Sequence, residues 1–206
     1  MHPPVYLVRH GQSEWNVRRL TQGQTTHPAL TALGREQAAG AAEAIAADLA
    51  RLGLSAARLV TSDLVRAVET AQIVGERIGL VPDLDARLRE QHLGELEGRS
   101  YEDSWARAEL HDWSDPELPL AGGESVGQVR RRLTAVLAGL APGTATVLIS
   151  HGDAIRSAVA HLLGQSMTDA PWVEVSNGSV ARYNGEIGWL ADGQRAAQPS
   201  GRGGPL

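Results

Sequence analysis

Two short apolar runs in this chain end the same way. Val5-Tyr6-Leu7-Val8 stops at Arg9-His10-Gly11, and Leu148-Ile149 stops at Ser150-His151-Gly152. Arg66 and Glu90 fall between them. Arginine presents planar, paired donors that match phosphate oxygens. Two arginines, two histidines and a helix N-terminus together suit a tetrahedral dianion. Neutral imidazole is a nucleophile near neutral pH, which makes His10 a candidate to take up a phosphoryl group. Expelling an alkoxide from phosphorus also needs an acid, and Glu90 can serve if burial raises its pKa.

These residues need elements that bring them together. The unbroken apolar run Val5–Val8 reads as a strand buried on both faces of a parallel sheet. Polar residues from Gly11 to Gly23 read as a loop. Thr31 reads as an N-cap, followed by Leu33, Ala41, Ile45, Leu49 and Leu52 at helical spacing up to Gly53. Arg58–Thr61 reads as a second strand, with Ser62 or Asp63 capping a helix whose inner face is Leu64, Ala67, Val68, Ala71, Val74 and Ile78. A further strand is expected within Val81–Leu88, near Pro82. Glu124–Leu140 reads as helix, Thr146–Ser150 as strand and Ala154–Leu163 as helix. Trp172–Val175 and Val180–Tyr183 read as edge strands around the turn Asn177-Gly178, and Ile187–Leu190 as one more.

Strand, helix, strand, helix implies an α/β fold: a three-layer α/β/α sandwich with a mostly parallel central sheet. Ligands of such sheets bind beyond the carboxyl ends of the strands, where Arg9, His10, Glu90 and His151 all fall, with Arg66 in a first helical turn. Side chains alternate along a strand, so Arg9 and His10 reach one pocket only if the chain bends, which Gly11 permits. Residues 98–123, with Tyr101, Trp105 and Trp113, show little periodicity and read as a helical lid insertion. One domain is expected over residues 1–190. The Gly-, Pro- and Ala-rich stretch 191–206 reads as a disordered tail.

Composition excludes several classes. The 206 residues include no cysteine, which rules out disulfides and thiolate chemistry. The net charge of -5 argues against a nucleic-acid partner. No apolar run approaches the roughly 18 residues of a membrane span, and no leader pattern opens the chain, so a cytoplasmic location without membrane contact is expected. The edge strands within Trp172–Tyr183 could pair in a homodimer.

The ordered series of motifs resembles the histidine phosphatase superfamily, which includes the cofactor-dependent phosphoglycerate mutases. Arg9-His10-Gly11-Gln12-Ser13-Glu14-Trp15-Asn16 matches its RHG motif, and Gln22-Gly23 the next one. Ser62-Asp63-Leu64-Val65-Arg66-Ala67 with Thr70-Ala71, and Glu90 to Gly94 with Glu97-Gly98, follow in the family's order. Gly122-Gly123-Glu124-Ser125 and Ser150 to Arg156 complete the set. The resemblance implies that His10 is phosphorylated, that Arg9, Arg66 and His151 hold the phosphoryl group, and that Asn16, Gln22 and Gly23 lie beside it. It implies Glu90 as general acid and base, no metal and no cofactor. Asp153 is an alternative acid, by analogy with another branch. The chain departs from the family at Gln24-Thr25-Thr26-His27-Pro28-Ala29, where an acid is missing and the spacing is one residue longer.

The phosphohistidine does not separate hydrolysis from phosphoryl transfer. Residues 99–120 carry six acids against two arginines, which disfavours the bisphosphorylated intermediate of a mutase. The expectation is a phosphomonoesterase for a small phosphate ester. A phosphoglycerate mutase-type phosphotransferase is the alternative, and a non-catalytic phosphate-binding member comes behind both.

Overall fold

The computed structural model describes residues 3–166 and 170–192. In chain order its elements are β1 (Val5–Arg9), α1 (Glu14–Val17), α2 (Ala32–Leu52), β2 (Ala56–Thr61), α3 (Val65–Ile78), β3 (Asp83–Leu84), α4 (Tyr101–Ala108), α5 (Val126–Ala138), β4 (Ala145–Ser150), α6 (Gly152–Leu162), β5 (Ser179–Tyr183) and β6 (Ile187–Asp192). The six strands form one sheet in the order β3-β2-β4-β1-β5-β6. β3, β2, β4 and β1 run parallel, while β5 is antiparallel to both β1 and β6.

Alternation along the strands builds two cores. Tyr6 and Val8 of β1, with Val147 and Ile149 of β4, meet Ala41, Ile45 and Leu49 of α2 and Ala67, Ala71 and Val74 of α3. Leu7 and Leu148 point the other way, onto Val129, Leu133 and Val136 of α5 and Ile155, Ala158 and Val159 of α6. Helices on both faces explain why the central strands are apolar throughout. Truncating a side chain as enclosed as Ile45 or Ile149 to alanine would cost about 2–5 kcal/mol. No helix among the described residues is long and apolar enough to cross a membrane.

Several local expectations change. Leu64, not Ser62 or Asp63, is the N-cap of α3, and it makes no side-chain cap. The two polar side chains are engaged elsewhere, Ser62 with His151 and Asp63 with Arg89. The Gly11–Gly23 loop contains α1, opened by a reciprocal capping box between Ser13 and Asn16. Only two residues of Val81–Leu88 form strand, just after Pro82, which has no N–H for the ladder. Trp172–Val175 is not a strand, because the carbonyls of Val173 and Val175 accept from Arg156 and Arg9 instead of a neighbouring strand. Val180–Tyr183 is not an edge either: β5 is covered on both sides by β1 and β6. That removes the expected basis for pairing two subunits there.

Ala191 and Asp192, expected in the tail, continue β6; residues 193–206 lie outside the described residues. The segment 98–123 contains α4 and then turns. Trp113 packs with Leu93, Leu96 and Leu120 in a small third core, so this tryptophan belongs to the lid's interior. Trp105 stacks on Tyr101.

Candidate active site

The parallel register of β1 and β4 sets Arg9 opposite Ser150, so the next residues, His10 and His151, emerge side by side. Their ring centroids are 5.1 Å apart. His10 Nδ1 lies 2.7 Å from the carbonyl oxygen of Gly11. A carbonyl only accepts, so Nδ1 carries the proton and Nε2 keeps its lone pair. Burial, then Arg66 and Arg9, hold the His10 pKa well below its ordinary value, which keeps the ring neutral. The backbone of His10 is fixed by Asn177 Nδ2 and Gly178 N, both donating to its carbonyl.

Gly11 serves a different purpose from the bend expected of it. A Cβ there would meet the carbonyl oxygen of Gly34 at 2.0 Å. The glycine lets the start of α2 pack against the strand end, while its N–H donates to Thr70 Oγ1. Thr70 in turn donates to the Arg66 carbonyl, so α2, α3 and the His10 loop are tied at one point.

The cations are held by uncharged groups. Arg66 is 1% exposed, and its two terminal nitrogens donate to the carbonyls of Thr25 and Gly23 at 2.9 and 2.8 Å. Burial pulls its pKa down to about 10. Arg9 donates to the Val175 carbonyl, and burial likewise lowers its pKa. His151 Nε2 lies 2.9 Å from Ser62 Oγ, and burial followed by Arg66 holds its pKa well below the usual value. Arg9 Nε, Arg66 Nε and His151 Nδ1 are buried without a hydrogen-bond partner. Unpaired buried donors are costly, and an anion reaching these groups would remove that cost.

Glu90 faces the N-terminus of α6. Its Oε1 accepts from Gln91 N and Ala154 N, and its Oε2 from Asp153 N. Burial and the nearby Asp153 carboxylate raise its pKa, while these three amides pull the other way, and the raise prevails. The backbone of this turn is clamped by Arg132, which donates to the carbonyls of Arg87, Arg89 and Glu90 and to the Glu124 carboxylate. Glu124 also accepts from His92 N.

A neutral buried imidazole, a carbonyl-held pair of arginines, a second imidazole and a carboxyl of raised pKa thus converge at the carboxyl ends of β1 and β4. The model of the histidine phosphatase superfamily (branch 1) matches residues 5–188. The chain belongs to that superfamily. Among curated histidine phosphatase relatives, the Salmonella choleraesuis protein named "Probable phosphoglycerate mutase GpmB" is 36% identical over 199 residues, covering 92% of this chain and 88% of its own. The solved structure of a mycobacterial glucosyl-3-phosphoglycerate phosphatase superposes with a TM-score of 0.73 at 33% identity, covering 88% of this chain and 90% of that one. Bacillus stearothermophilus YhfR gives 0.74 at 28% identity, covering 93% and 96%. The mixed, mostly parallel sheet flanked by helices is the fold these histidine phosphatases share.

The residues singled out from the sequence are thus brought together, with some changes of emphasis. Asn16 Oδ1 closes the α1 capping box and accepts from Asn177, and its Nδ2 donates to the Tyr101 hydroxyl at 3.2 Å. Gln22 Oε1 accepts from Ser13. Gly23 adopts φ +46° beside the Glu97 carboxylate, and its carbonyl holds Arg66. The atypical loop after Gly23 bridges to the acid through Gln24, which donates to the Glu90 carbonyl and to Glu124. Ser62, Tyr101, Arg132 and Asn177 were missed. Ser62 and Asn177 carried a signal, each lying within a motif or turn already marked. Arg132 carried none, since it sits in a run of three arginines on a helix and only tertiary contacts set it apart.

Proposed function

We propose that this histidine phosphatase is a phosphomonoesterase working through a phosphohistidine on His10. The observation that carries the reading is the His10 ring itself: neutral, with Nδ1 committed to Gly11 and Nε2 left as a lone pair among Arg9, Arg66 and His151. Nε2 forms a bond to phosphorus as the ester P–O bond breaks. The departing electron pair goes to the ester oxygen, which takes the proton of Glu90. The alcohol departs, and Glu90, now a carboxylate, accepts a proton from a water whose oxygen attacks phosphorus. The N–P bond then breaks, the lone pair returns to Nε2, and inorganic phosphate leaves. Arg9, Arg66 and the Nδ1 edge of His151 balance the charge on the equatorial oxygens. Asn16, Gln22 and Gly23 line the loop beside them. No step calls on a metal or cofactor.

The mutase alternative is favoured by the name of the GpmB relative. Against it stands the acidic lid, although Glu102 and Glu117 are each paired with an arginine, which softens that argument. The test is phosphate release from a chromogenic ester, with His10→Ala as control and 3-phosphoglycerate as competitor. Activity surviving in His10→Ala, or isomerisation of 3-phosphoglycerate outrunning phosphate release from every ester, would overturn the reading.

A further inference from the structure

Glu90 is fixed differently from the two histidines. His10 and His151 each follow a strand directly, so the sheet sets their backbone. The strand before Glu90 ends at Leu84, and a single 3₁₀ turn over Ala86–Leu88 intervenes. The place of this residue therefore depends on bonds to its own peptide. Two side chains donate to its carbonyl oxygen, Arg132 through Nη2 at 2.9 Å and Gln24 through Nε2 at 3.0 Å.

Gln24 reaches the acid from the loop that holds the phosphate clamp. Its two chain neighbours, Gly23 and Thr25, give their carbonyls to Arg66. Its own N–H donates to Glu97 Oε1 at 2.8 Å. The backbone of residue 24 is thus fastened at the clamp, and the side chain spans from there to the acid. The amide divides its two hydrogens between the Glu90 carbonyl and Glu124 Oε2, the latter at 3.2 Å. Glu124 Oε2 also accepts from Arg132 Nη2. Gln24, Glu124, Arg132 and the Glu90 carbonyl so close a hydrogen-bonded ring, and a fully paired ring is stiffer than its separate contacts.

We propose that Gln24 is a positioning residue that sets the spacing between the phosphate clamp and the general acid, by tying the loop that holds Arg66 to the backbone of Glu90. The assignment rests on the phosphomonoesterase reading with Glu90 as its acid. Replacing the side chain leaves the carbonyls of Gly23 and Thr25 on Arg66, so the effect falls on proton delivery and not on phosphate binding. Misplacing a reacting group by about 1 Å can cost roughly 10²-fold in rate. Arg132 still holds the Glu90 carbonyl when Gln24 is lost, so only part of that cost is expected.

The experiment measures hydrolysis of glycerol 3-phosphate and of 2,4-dinitrophenyl phosphate by wild type, Gln24→Met, Gln24→Ala, Glu90→Gln and the double variant Gln24→Met/Glu90→Gln. Gln24 is half-buried in a loop, so its replacement spares the core. Both single variants at position 24 should lose about tenfold in kcat on the glycerol ester and about twofold or less on the dinitrophenyl ester, whose leaving group needs no proton. The inhibition constant of inorganic phosphate should stay within about twofold, and Gln24→Met should add no more than about twofold to the loss already caused by Glu90→Gln. Equal losses on the two esters, no loss on either, weakened phosphate inhibition, a loss in Gln24→Ala that Gln24→Met does not share, or losses that simply multiply in the double variant overturn the role of Gln24 alone. No phosphate release by wild type, or a Glu90→Gln variant that loses as much on the dinitrophenyl ester as on the glycerol ester, overturns the underlying reading and the role of Gln24 with it.

Discussion

Glu90→Gln tests the acid at nearly constant volume. The carboxylate offers one oxygen to Gln91 N and Ala154 N and the other to Asp153 N. Glutamine can keep the first pair, but its NH2 then abuts the Asp153 amide, a loss of about 1 kcal/mol. The larger effect is chemical. A positioned acid contributes roughly 10²–10⁴ in rate, or about 3–5.5 kcal/mol of barrier. That contribution depends on how much the leaving oxygen needs a proton. On an alkyl ester kcat should therefore fall by about three orders of magnitude, and on a dinitrophenyl ester by roughly tenfold or less. The pH profile supplies a second reading. The Glu90 pKa is raised above its ordinary value, and the acid must be protonated, so kcat/KM on an alkyl ester falls as pH rises through that raised value. In Glu90→Gln this falling limb should vanish. Steady-state kinetics of both esters from pH 4 to 9 checks both points. Equal losses on alkyl and dinitrophenyl esters, or a falling limb retained in the variant, would refute Glu90 as the acid.

Gly11→Ala should destabilise the fold by about 1–3 kcal/mol, because the new Cβ meets backbone rather than a movable side chain; a thermal melt should show Tm lowered by several degrees together with loss of activity. Ser62→Ala should orphan His151 Nε2 and lower kcat about tenfold with KM less affected, and Ser62→Thr should restore part of it if its hydroxyl reaches the ring. His10 and His151 have native pKa values below their unfolded values, so the unfolded chain binds more protons below about pH 6.5 and stability should fall as pH drops from there, by up to about 1.4 kcal/mol per pH unit for each histidine. Glu90, raised, works in the opposite direction and keeps the slope below that of two protons; denaturant titrations at pH 7, 6 and 5.5 measure it. Inorganic phosphate at about 100 times its Kd should raise stability by about 2.7 kcal/mol, read as a Tm shift that His151→Ala reduces.

The strands that carry chemistry were the easiest part of the fold to read. β1 and β4 are buried on both faces, so their apolar runs are unbroken and each stops at a polar triplet. Their adjacency follows from register, which no local pattern encodes. Helices α2 and α5 announced themselves through Thr31 and Ser125, whose caps are local hydrogen bonds. α3 misled because Ser62 and Asp63 look like caps but are claimed by partners 89 and 26 residues away. Trp172–Val175 misled for a related reason: its place beside the Asn177-Gly178 turn suggested a ladder, while the structure gives two of its carbonyls to arginines. Of the site, His10 and His151 were legible from strand ends and Arg66 from its helical turn, whereas Glu90 lies six residues beyond the short strand Asp83–Leu84 and not at its end. The purpose of Gly11 was not, because its neighbour Gly34 arrives from another element.

The arginines divide by how they are held, and that division bears on function. Arg77, Arg87 and Arg131 lie at the surface, each paired with a carboxylate, and their charge is locally cancelled. Arg66 and Arg9 are bound by carbonyl oxygens of Gly23, Thr25 and Val175 instead. A carbonyl holds a guanidinium less strongly than a carboxylate does, but it leaves the positive charge to act on whatever arrives. The cost is visible in the lowered pKa of both groups, a direct sign of unfavourable burial. Burial first, and then the same field, keep His10 and His151 neutral, so these arginines attract a phosphoryl dianion and at the same time help preserve the nucleophile that attacks it. Placing a carboxylate beside Arg66 would weaken both effects together. The atypical sequence of the Gln24–Ala29 loop is tolerable for the same reason: Arg66 relies on backbone carbonyls at Gly23 and Thr25, and backbone contacts survive changes of side chain.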